Sequence, residues 1–336
     1  MPEGAIHAGA PDKCSYVLPI RRETRTEIDE LAAYLAGLPP DVEVIVVDGS
    51  PHHVFAHHSR VLPDRVKHLA PDANLLTLNG KVGGVLTGLR RASHERVVIA
   101  DDDVRYGREV LSRTVAALER FDLVRPQNHF VPARGHAAWD TSRILLNRVT
   151  GGDWPGTLAV RRSRLLAAGG YRGDVLFENL ELVRTVRAAG GQIGAPLDLY
   201  VPRLPPSTAG FFDQRVRQAY DELARPIRFS VWLLVLPVVG VAAARRAWQP
   251  LLMAAVGIAA AAEIGRRRAG GSRVFPASAT LLAPGWVLER GLCVWLALAS
   301  RVMRGGVRYR GRIVRDAASS EAALRRRLRR NAVAGD

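Results

Sequence analysis

The stretch RVVIADDDVRY, residues 96–106, is the most informative part of this chain of 336 residues. Four apolar residues, 97–100, run directly into three aspartates, Asp101, Asp102 and Asp103. An apolar run of this length predicts a buried strand. Adjacent carboxylates repel one another and are costly to bury, so the aspartates form either a solvated turn or a place where a cation belongs.

The chain around this stretch alternates between two kinds of predicted element. Strands are predicted at 15–20, 42–48, 73–78, 96–100 and 156–162, and helices at 22–38, 80–92, 107–121, 178–190 and 214–229. Such alternation predicts an α/β domain with a mostly parallel sheet covered on both faces. In sheets of this kind ligands bind beyond the carboxyl ends of the strands, where Asp48 and Asp101–Asp103 lie.

The net charge of +16 is concentrated in the last third of the chain. Residues 1–224 carry 28 Lys and Arg against 27 Asp and Glu, whereas residues 225–336 carry 20 against 5. The basic residues of the second part flank apolar runs. This pattern indicates a membrane surface as the partner and argues against nucleic acid.

Two uncharged runs of sixteen residues, 229–244 and 247–262, predict a membrane hairpin. Each is shorter than the roughly 20 residues of a typical spanning helix, so buried helices of a soluble protein are the alternative. A third apolar run, 280–303, carries Glu289 and Arg290 and is more typical of an interfacial or re-entrant helix. Four tryptophans in or beside these runs are either interfacial anchors or packing residues: Trp232, Trp248, Trp286 and Trp295.

The predicted organisation therefore has four parts. These are a disordered lead without a signal peptide (1–13), an α/β domain (14–225), a membrane region of about two spans plus an interfacial helix (226–303), and a basic cytoplasmic tail (304–336). Cys14 and Cys293 are too far apart in sequence to indicate a disulfide framework. His53 and His57 are a zinc-binding pair on a helix or, as we favour, part of a solvated loop or helix.

The aspartates have two chemical interpretations. Asp101 and Asp103 could hold Mg²⁺ or Mn²⁺ together with substrate phosphates, or they could cap the helix that follows. Asp48, which precedes Gly49 and Ser50 in VEVIVVDGS, could accept hydrogen bonds from a nucleotide base or ribose, or could form a simple turn.

Seven segments taken in order carry a resemblance to a known family. They are VLPIRRE, EVIVVDGS, NGKVGGVLTGLRRA, RVVIADDDVRY, GTLAVRRSRLLAAGGY, FENLEL and QRVRQ. The chain resembles family 2-type inverting glycosyltransferases with a GT-A fold, a Rossmann-like mixed sheet that binds a nucleotide-diphospho-sugar. Within them it most resembles the ceramide-glucosyltransferase-like branch, which has C-terminal membrane segments. The resemblance covers residues 14–315.

The resemblance implies a role for eleven residues. Nucleotide-sugar binding is implied for Pro19, Arg21, Asp48, Lys81, Asp101 and Asp102. Binding of Mn²⁺ or Mg²⁺ is implied for Asp101 and Asp103. Catalysis is implied for Glu178, Glu181, Gln214 and Arg217, with one of the two glutamates as the general base.

The chain departs from the family pattern at two positions. Asn179 stands where the family usually has the aspartate base, and a neutral amide cannot take a proton, so Glu178 or Glu181 must serve. Residues three apart on a helix can share a face, which makes either substitution feasible. Gln218 stands where the family has a tryptophan on the acceptor side.

The function implied is a membrane-anchored inverting glycosyltransferase. It would move a sugar from a UDP- or GDP-sugar to a lipid-linked or glycan acceptor, with its catalytic domain on the cytoplasmic side of the cell membrane. The main alternative is a catalytically degenerate nucleotide-sugar-binding or scaffold protein, which Asn179 favours. A nucleotidyl- or phosphosugar-transferase on a similar sheet is a second alternative, disfavoured by the QRVRQ segment.

Overall fold

The computed structural model describes residues 13–25, 28–309 and 311–335. All but the last residue of the predicted disordered lead lie outside the described residues. The strands are β1 (Cys14–Ile20), β2 (Val42–Asp48), β3 (Val66–Leu69), β4 (Arg96–Ala100), β5 (Leu123–Val124), β6 (Gln127–Phe130), β7 (Thr157–Arg161), β8 (Ile193–Gly194), β9 (Tyr200–Arg203), β10 (Val307–Tyr309) and β11 (Arg312–Val314). The α-helices are α1 (Asp29–Ala36), α2 (His52–Val61), α3 (Gly80–Arg91), α4 (Arg108–Ala116), α5 (His136–Arg148), α6 (Arg162–Ala167), α7 (Glu178–Ala188), α8 (Thr208–Tyr220), α9 (Pro226–Ala244), α10 (Trp248–Arg267), α11 (Ser278–Arg304) and α12 (Glu321–Gly335).

Seven strands form the central sheet in the order β3-β2-β1-β4-β7-β5-β8. The strands β3, β2, β1 and β4 run parallel, β7 is antiparallel to both β4 and β5, and β8 is parallel to β5. The predicted α/β domain with a mixed sheet, followed by an α-helical region, is therefore confirmed. The chain order reverses between β2 and β4 on either side of β1, and this is where a crevice opens in such a sheet.

The prediction of a strand at 73–78 is wrong. The third parallel strand is β3, and residues 73–75 instead form a 3₁₀ turn. The carboxylate of Asp72 accepts a hydrogen bond from the backbone N–H of Asn74, and this cap starts the turn. Leu76 and Leu78 then lie at the surface instead of in a sheet.

The helix α3 packs unusually close to the middle strand of the sheet. A Cβ added at Gly84 would lie 2.9 Å from Cβ of Pro19, a distance that real side chains do not tolerate. Glycine at this position therefore lets the helix backbone approach β1 directly. The close approach brings Lys81, on the first turn of the same helix, over the carboxyl end of the strand.

Within the described ranges, three helices are long and apolar enough to cross a membrane: Pro226–Ala244, Trp248–Arg273 and Ser278–Arg304. The first begins where Pro226 occupies the first helical turn, a position at which its missing N–H costs nothing. The prediction of two spans plus an interfacial helix stays a prediction, but the third run forms one continuous helix, α11.

The charged pair of α11 faces the protein. The indole N–H of Trp139 donates to the carboxylate of Glu289, and the buried guanidinium of Arg290 stacks over the ring of Trp286 at 4.9 Å. These contacts explain how an apolar helix accommodates two charges.

The tryptophans of the apolar helices were predicted to be either packing residues or interfacial anchors, and their exposure differs. Trp286 is buried and packs on Trp232, whereas Trp248 and Trp295 are exposed.

The segment predicted as a basic tail folds back onto the α/β domain in its described part. The strands β10 and β11 pair antiparallel, and the backbone N–H of Leu176 donates to the carbonyl of Asp316. The backbone N–H of Ser319 donates to the carboxylate of Glu181 at 2.6 Å. Residues after α11 therefore help to complete the domain, and Tyr309 reaches the cleft described next.

Candidate active site

A cleft of about 1120 Å³ opens at the carboxyl ends of β1, β2 and β4. Ten of the eleven residues predicted from the sequence line it: Pro19, Arg21, Asp48, Lys81, Asp101, Asp102, Asp103, Glu178, Gln214 and Arg217. The eleventh, Glu181, does not. Elements separated by up to two hundred residues thus bring one set of charged side chains together.

Lys81 joins two acidic residues across the cleft. Its Nζ lies 2.6 Å from Oδ1 of Asp101 and 2.7 Å from Oε1 of Glu178. Burial alone would lower the pKa of Lys81, but the two carboxylates outweigh it and hold that pKa well above its usual value. Lys81 is therefore a fixed positive charge between the aspartate run and the start of α7.

Arg203, at the end of β9, binds the other side of the aspartate run. Its Nε donates to Oδ2 of Asp103 at 2.8 Å, and its Nη2 lies 3.5 Å from Oδ2 of Asp101. Gly156 leaves room for this pair, because a Cβ there would lie 2.6 Å from the Asp101 carboxylate. Asp102 turns away and pairs with Nη2 of Arg22 at 3.1 Å. Each carboxylate of the run thus has a cationic partner within the protein.

Asp48 is fully buried at the floor of the cleft. Its Oδ2 lies 2.7 Å from Nδ1 of His58 and 3.1 Å from Nε2 of His68, and its Oδ1 accepts from the backbone N–H of Ser50. Burial would raise the pKa of Asp48, but the bonds from His68, Ser50 and His58 hold it well below the usual value. Asp48 therefore stays ionised and orients two imidazoles, one of which stacks on Phe55 in the cleft wall.

The two glutamates that could replace the missing aspartate differ in position. Glu178 lines the cleft from the first turn of α7. Glu181 is fully buried one turn later, where Oε2 accepts from the backbone of Ser319. Asn179 also lines the cleft, but its Nδ2 donates to the carbonyl of Pro155 at 2.9 Å. The geometry favours Glu178 over Glu181 as the group that can meet a substrate.

The helix α8 supplies the far wall through Gln214 and Arg217. The guanidinium of Arg217 lies over the ring of Tyr309 at 5.3 Å, so the folded-back segment after α11 supports it. Gln218, in the place of the family tryptophan, accepts a hydrogen bond from Nη2 of Arg215 at 2.7 Å. Its amide is thus used to hold a buried arginine.

Sequence reasoning missed three charged residues of the cleft, Arg203, Asp213 and Asp221. Arg203 lies in YVPR, a segment that gives no motif signal. Asp221 follows α8 in a 3₁₀ turn, and its Oδ1 is buried without a hydrogen-bond partner among the residues that the structure describes. Burial, together with the negative charge of Glu178, raises the pKa of Asp221 well above the usual value.

Besides that of Asp221, the cleft has a second buried carboxylate oxygen that could meet a metal ion, and this one lies in the aspartate run. Oδ1 of Asp103 is buried and has no hydrogen-bond partner in the described part of the chain. Among residues 13–25, 28–309 and 311–335, no group of three or more His, Cys, Asp or Glu side chains is placed to hold a metal ion. His53 and His57, which lie on α2, are therefore not part of such a group. Carboxylate oxygen suits Mg²⁺ or Mn²⁺, so the site fits an ion that takes most of its ligands from a bound substrate.

No protein-family model matches this chain, and a search of curated proteins found no match. Among solved structures, the chain is similar to the mannosyltransferase PcManGT from Pyrobaculum calidifontis, in complex with GDP-Man and Mn²⁺. The identity is 18%, over 86% of this chain and 90% of that chain, with a TM-score of 0.49.

Two further similarities have lower scores. One is to S. aureus TarS 1-349 in complex with UDP, at 18% identity over 62% of this chain and 64% of that chain, with a TM-score of 0.43. The other is to glucosyl-3-phosphoglycerate synthase from Mycobacterium tuberculosis with Mn²⁺, UDP and glucosyl-3-phosphoglycerate, at 19% identity over 62% and 77%, with a TM-score of 0.43.

Proposed function

We propose that this chain is a membrane-anchored inverting glycosyltransferase that uses a nucleotide-sugar donor in the cleft at the ends of β1, β2 and β4. The observation that carries the proposal is the convergence of a basic set and an acidic set on one cavity of nucleotide-sugar size. The basic side chains Lys81, Arg203 and Arg217 suit a diphosphate. The acidic ones, Asp103 and Glu178, suit a metal ion and a proton acceptor.

The donor would lie with its nucleoside over the floor at Asp48 and its diphosphate toward the aspartate run. Asp103, through its unpartnered oxygen, and Asp101 would hold a divalent cation, Mn²⁺ or Mg²⁺. Such a cation neutralises the charge that develops on a leaving diphosphate. Arg217 and Lys81 add fixed positive charge at the same place, which stabilises the departing group without any rearrangement of the protein.

Glu178 is the proposed general base. Its carboxylate would take the proton of the acceptor hydroxyl while that oxygen attacks the anomeric carbon, and the bond to the diphosphate breaks on the opposite face. Lys81 holds Oε1 of Glu178 at 2.7 Å and thereby fixes the orientation of the carboxylate. Direct displacement of this kind inverts the configuration of the sugar.

The acceptor is proposed to be lipid-linked or a glycan, presented at the membrane by the helices α9, α10 and α11. Their length and apolar composition support this part of the proposal. The catalytic domain would face the cytoplasm, and the excess of arginine after residue 225 supports that orientation. Membership of the ceramide-glucosyltransferase-like branch stays a prediction.

The test is release of a nucleoside diphosphate by the detergent-purified full chain, offered a panel of UDP- and GDP-sugars with Mn²⁺ or Mg²⁺ and a lipid extract. We expect metal-dependent release from one donor and loss of that release in Asp103→Asn. Release that is equal in Asp103→Asn would contradict the assignment of the cleft. Release of pyrophosphate instead would favour a nucleotidyltransferase.

A second candidate function is nucleotide-sugar binding without transfer. It is favoured by Asn179, whose amide bonds the backbone of Pro155 and cannot accept a proton. Binding of a nucleoside diphosphate in the cleft, with no turnover of any donor in the presence of lipid extract, would select this candidate.

A further inference from the structure

A second cavity, of about 430 Å³, opens between α5, α9, α10 and α11, and no residue lines both it and the main cleft. One end is formed by polar side chains at the end of α5 and the start of α9. The side walls are apolar residues of α10 and α11. The cavity therefore lies where the three apolar helices meet the α/β domain, and it has a polar end and an apolar wall.

Two hydrogen-bond donors in the cavity wall have no acceptor. The indole nitrogens of Trp232 and Trp286 are buried and unpartnered among the described residues, and the two rings pack edge to face at 5.7 Å. Trp286 is only 2% exposed. A buried N–H without a partner is costly, so this pair indicates that an acceptor belongs in the cavity.

The charge at the polar end favours an anion. Arg228 lines the cavity, and its Nε lies 3.1 Å from Oε2 of Glu222. The same carboxylate oxygen also lies 3.2 Å from Nη2 of Arg225, so two guanidiniums share one negative charge. The remaining bond from Arg228 goes to the neutral side chain of Asn147. Within this group of three charged side chains two positive charges face one negative charge; Asp153 acts favourably on Arg228 from outside the group, and Arg143 opposes it.

We propose that this cavity binds the phosphate headgroup of an anionic membrane phospholipid. Arg228, Trp232 and Trp286 would contact the phosphate, and an acyl chain would lie along Ile258 and Gly257 of α10. A Cβ added at Gly257 would meet nothing within 4 Å, so the wall has space for a chain. The inference rests on the membrane part of the proposed function, since apolar walls on candidate spanning helices favour a lipid over a soluble phosphate.

The experiment is a titration of the full chain in detergent with phosphatidylglycerol, followed by native mass spectrometry. Phosphatidylcholine and glycerol 3-phosphate are titrated in parallel. We expect one tightly bound phosphatidylglycerol, at least about tenfold weaker binding of phosphatidylcholine, and no binding of glycerol 3-phosphate. Equal binding of the two lipids would overturn the headgroup assignment, and binding of glycerol 3-phosphate as tight as that of lipid would point to a free-phosphate site.

Two glycine variants locate the lipid. Gly257→Phe fills the cavity, whereas Gly240→Phe makes the same change at an open position of α9 that does not line it. We expect the affinity for phosphatidylglycerol to fall by at least about tenfold in Gly257→Phe and to stay at the wild-type value in Gly240→Phe. Trp286→Phe, which keeps an aromatic ring but removes the indole N–H, should weaken binding by about three- to tenfold. Wild-type binding by Gly257→Phe, or equal loss in Gly240→Phe, would overturn the inference.

Nucleoside diphosphate release, measured on the same preparations, separates this inference from the proposed function. A chain that binds phosphatidylglycerol at this cavity and turns over no donor keeps the lipid site and loses the transferase assignment. A chain that turns over a donor and shows no preference for phosphatidylglycerol keeps the transferase assignment and loses the lipid site.

Discussion

Arg203 and Asp103 form a direct ion pair at 2.8 Å between the end of β9 and the last aspartate of the run after β4. The cation that three adjacent carboxylates require is thus supplied in part by the protein itself. Lys81 and Arg22 serve the other two aspartates. A metal ion that enters at Asp103 must therefore compete with a guanidinium for the same carboxylate.

Removal of this competitor should strengthen metal binding. We predict that Arg203→Met raises the affinity of the nucleotide-free protein for Mn²⁺ by about tenfold, because both oxygens of Asp103 become available. The measurement is a titration followed by electron paramagnetic resonance of free Mn²⁺. The matched control is Arg22→Met, which removes the partner of Asp102 and should leave the affinity almost unchanged. Weaker Mn²⁺ binding in Arg203→Met would show that Arg203 organises the metal site instead of blocking it.

The choice between two glutamates has a kinetic test. We predict that Glu178→Gln lowers kcat by about 10²- to 10⁴-fold with nucleoside diphosphate binding retained, as expected for loss of a general base. Glu181→Gln should lower the melting temperature and leave kcat almost unchanged, since Glu181 is buried and accepts a hydrogen bond from the backbone of Ser319. The opposite pattern, with full activity in Glu178→Gln, would remove Glu178 from the mechanism.

Asp221 gives a prediction for stability against pH. Its pKa is raised in the folded protein because burial and Glu178 disfavour the charged form. The folded state therefore binds more protons than the unfolded state above the unfolded-state pKa of about 3.9, and this carboxyl makes stability fall as pH rises. Asp221→Asn cannot ionise, so we expect its advantage in melting temperature over wild type to be larger at pH 8 than at pH 5.

The control for this comparison is Asp213→Asn, an exposed carboxylate on the same wall of the cleft. It removes a carboxylate from the same wall at an exposed position, and so controls for the loss of one negative charge there. If Asp221→Asn and wild type differ by the same amount at both pH values, the carboxyl of Asp221 is not perturbed by its surroundings.

The close packing of α3 on β1 gives a prediction that links stability to the site. Gly84→Ala should destabilise the protein by about 1–3 kcal/mol, because the new methyl would overlap Pro19. Gly80→Ala, in the same helix with nothing within 4 Å, should be neutral or stabilising. Denaturant titration of both variants makes the measurement. Equal stability of the two would mean that α3 can shift away from β1 without cost.

The sequence was sufficient to locate the cleft because strand ends are local features. Apolar runs that stop at Asp48 and Asp101 mark two parallel strands that lie on either side of β1, and the carboxyl ends of such strands meet at one edge of a sheet. The same reasoning could not find Arg203. Its strand β9 pairs with β6 outside the main sheet, and neither strand has an apolar pattern strong enough to place it.

Tertiary packing decided the remaining differences. Spacing on α7 allowed both Glu178 and Glu181 to face a substrate, and only the return of the segment after α11 buries Glu181 against Ser319. The prediction of a strand at 73–78 was wrong because a local cap at Asp72 favours a turn over an extended conformation. Residues 66–69 pair instead, although their sequence VKHL is short and half polar.

The proposed glycosyltransferase activity is tested most directly by the transfer of a radiolabelled sugar. Membranes that contain the full chain, or its Glu178→Gln variant, are incubated with the nucleotide sugar that supports nucleoside diphosphate release, and the lipid and glycan fractions are counted. We expect label in one fraction for wild type and at least about a hundredfold less for Glu178→Gln, with equal nucleoside diphosphate binding by both proteins. Equal labelling by both proteins, or no binding of any nucleoside diphosphate by wild type, would contradict this expectation.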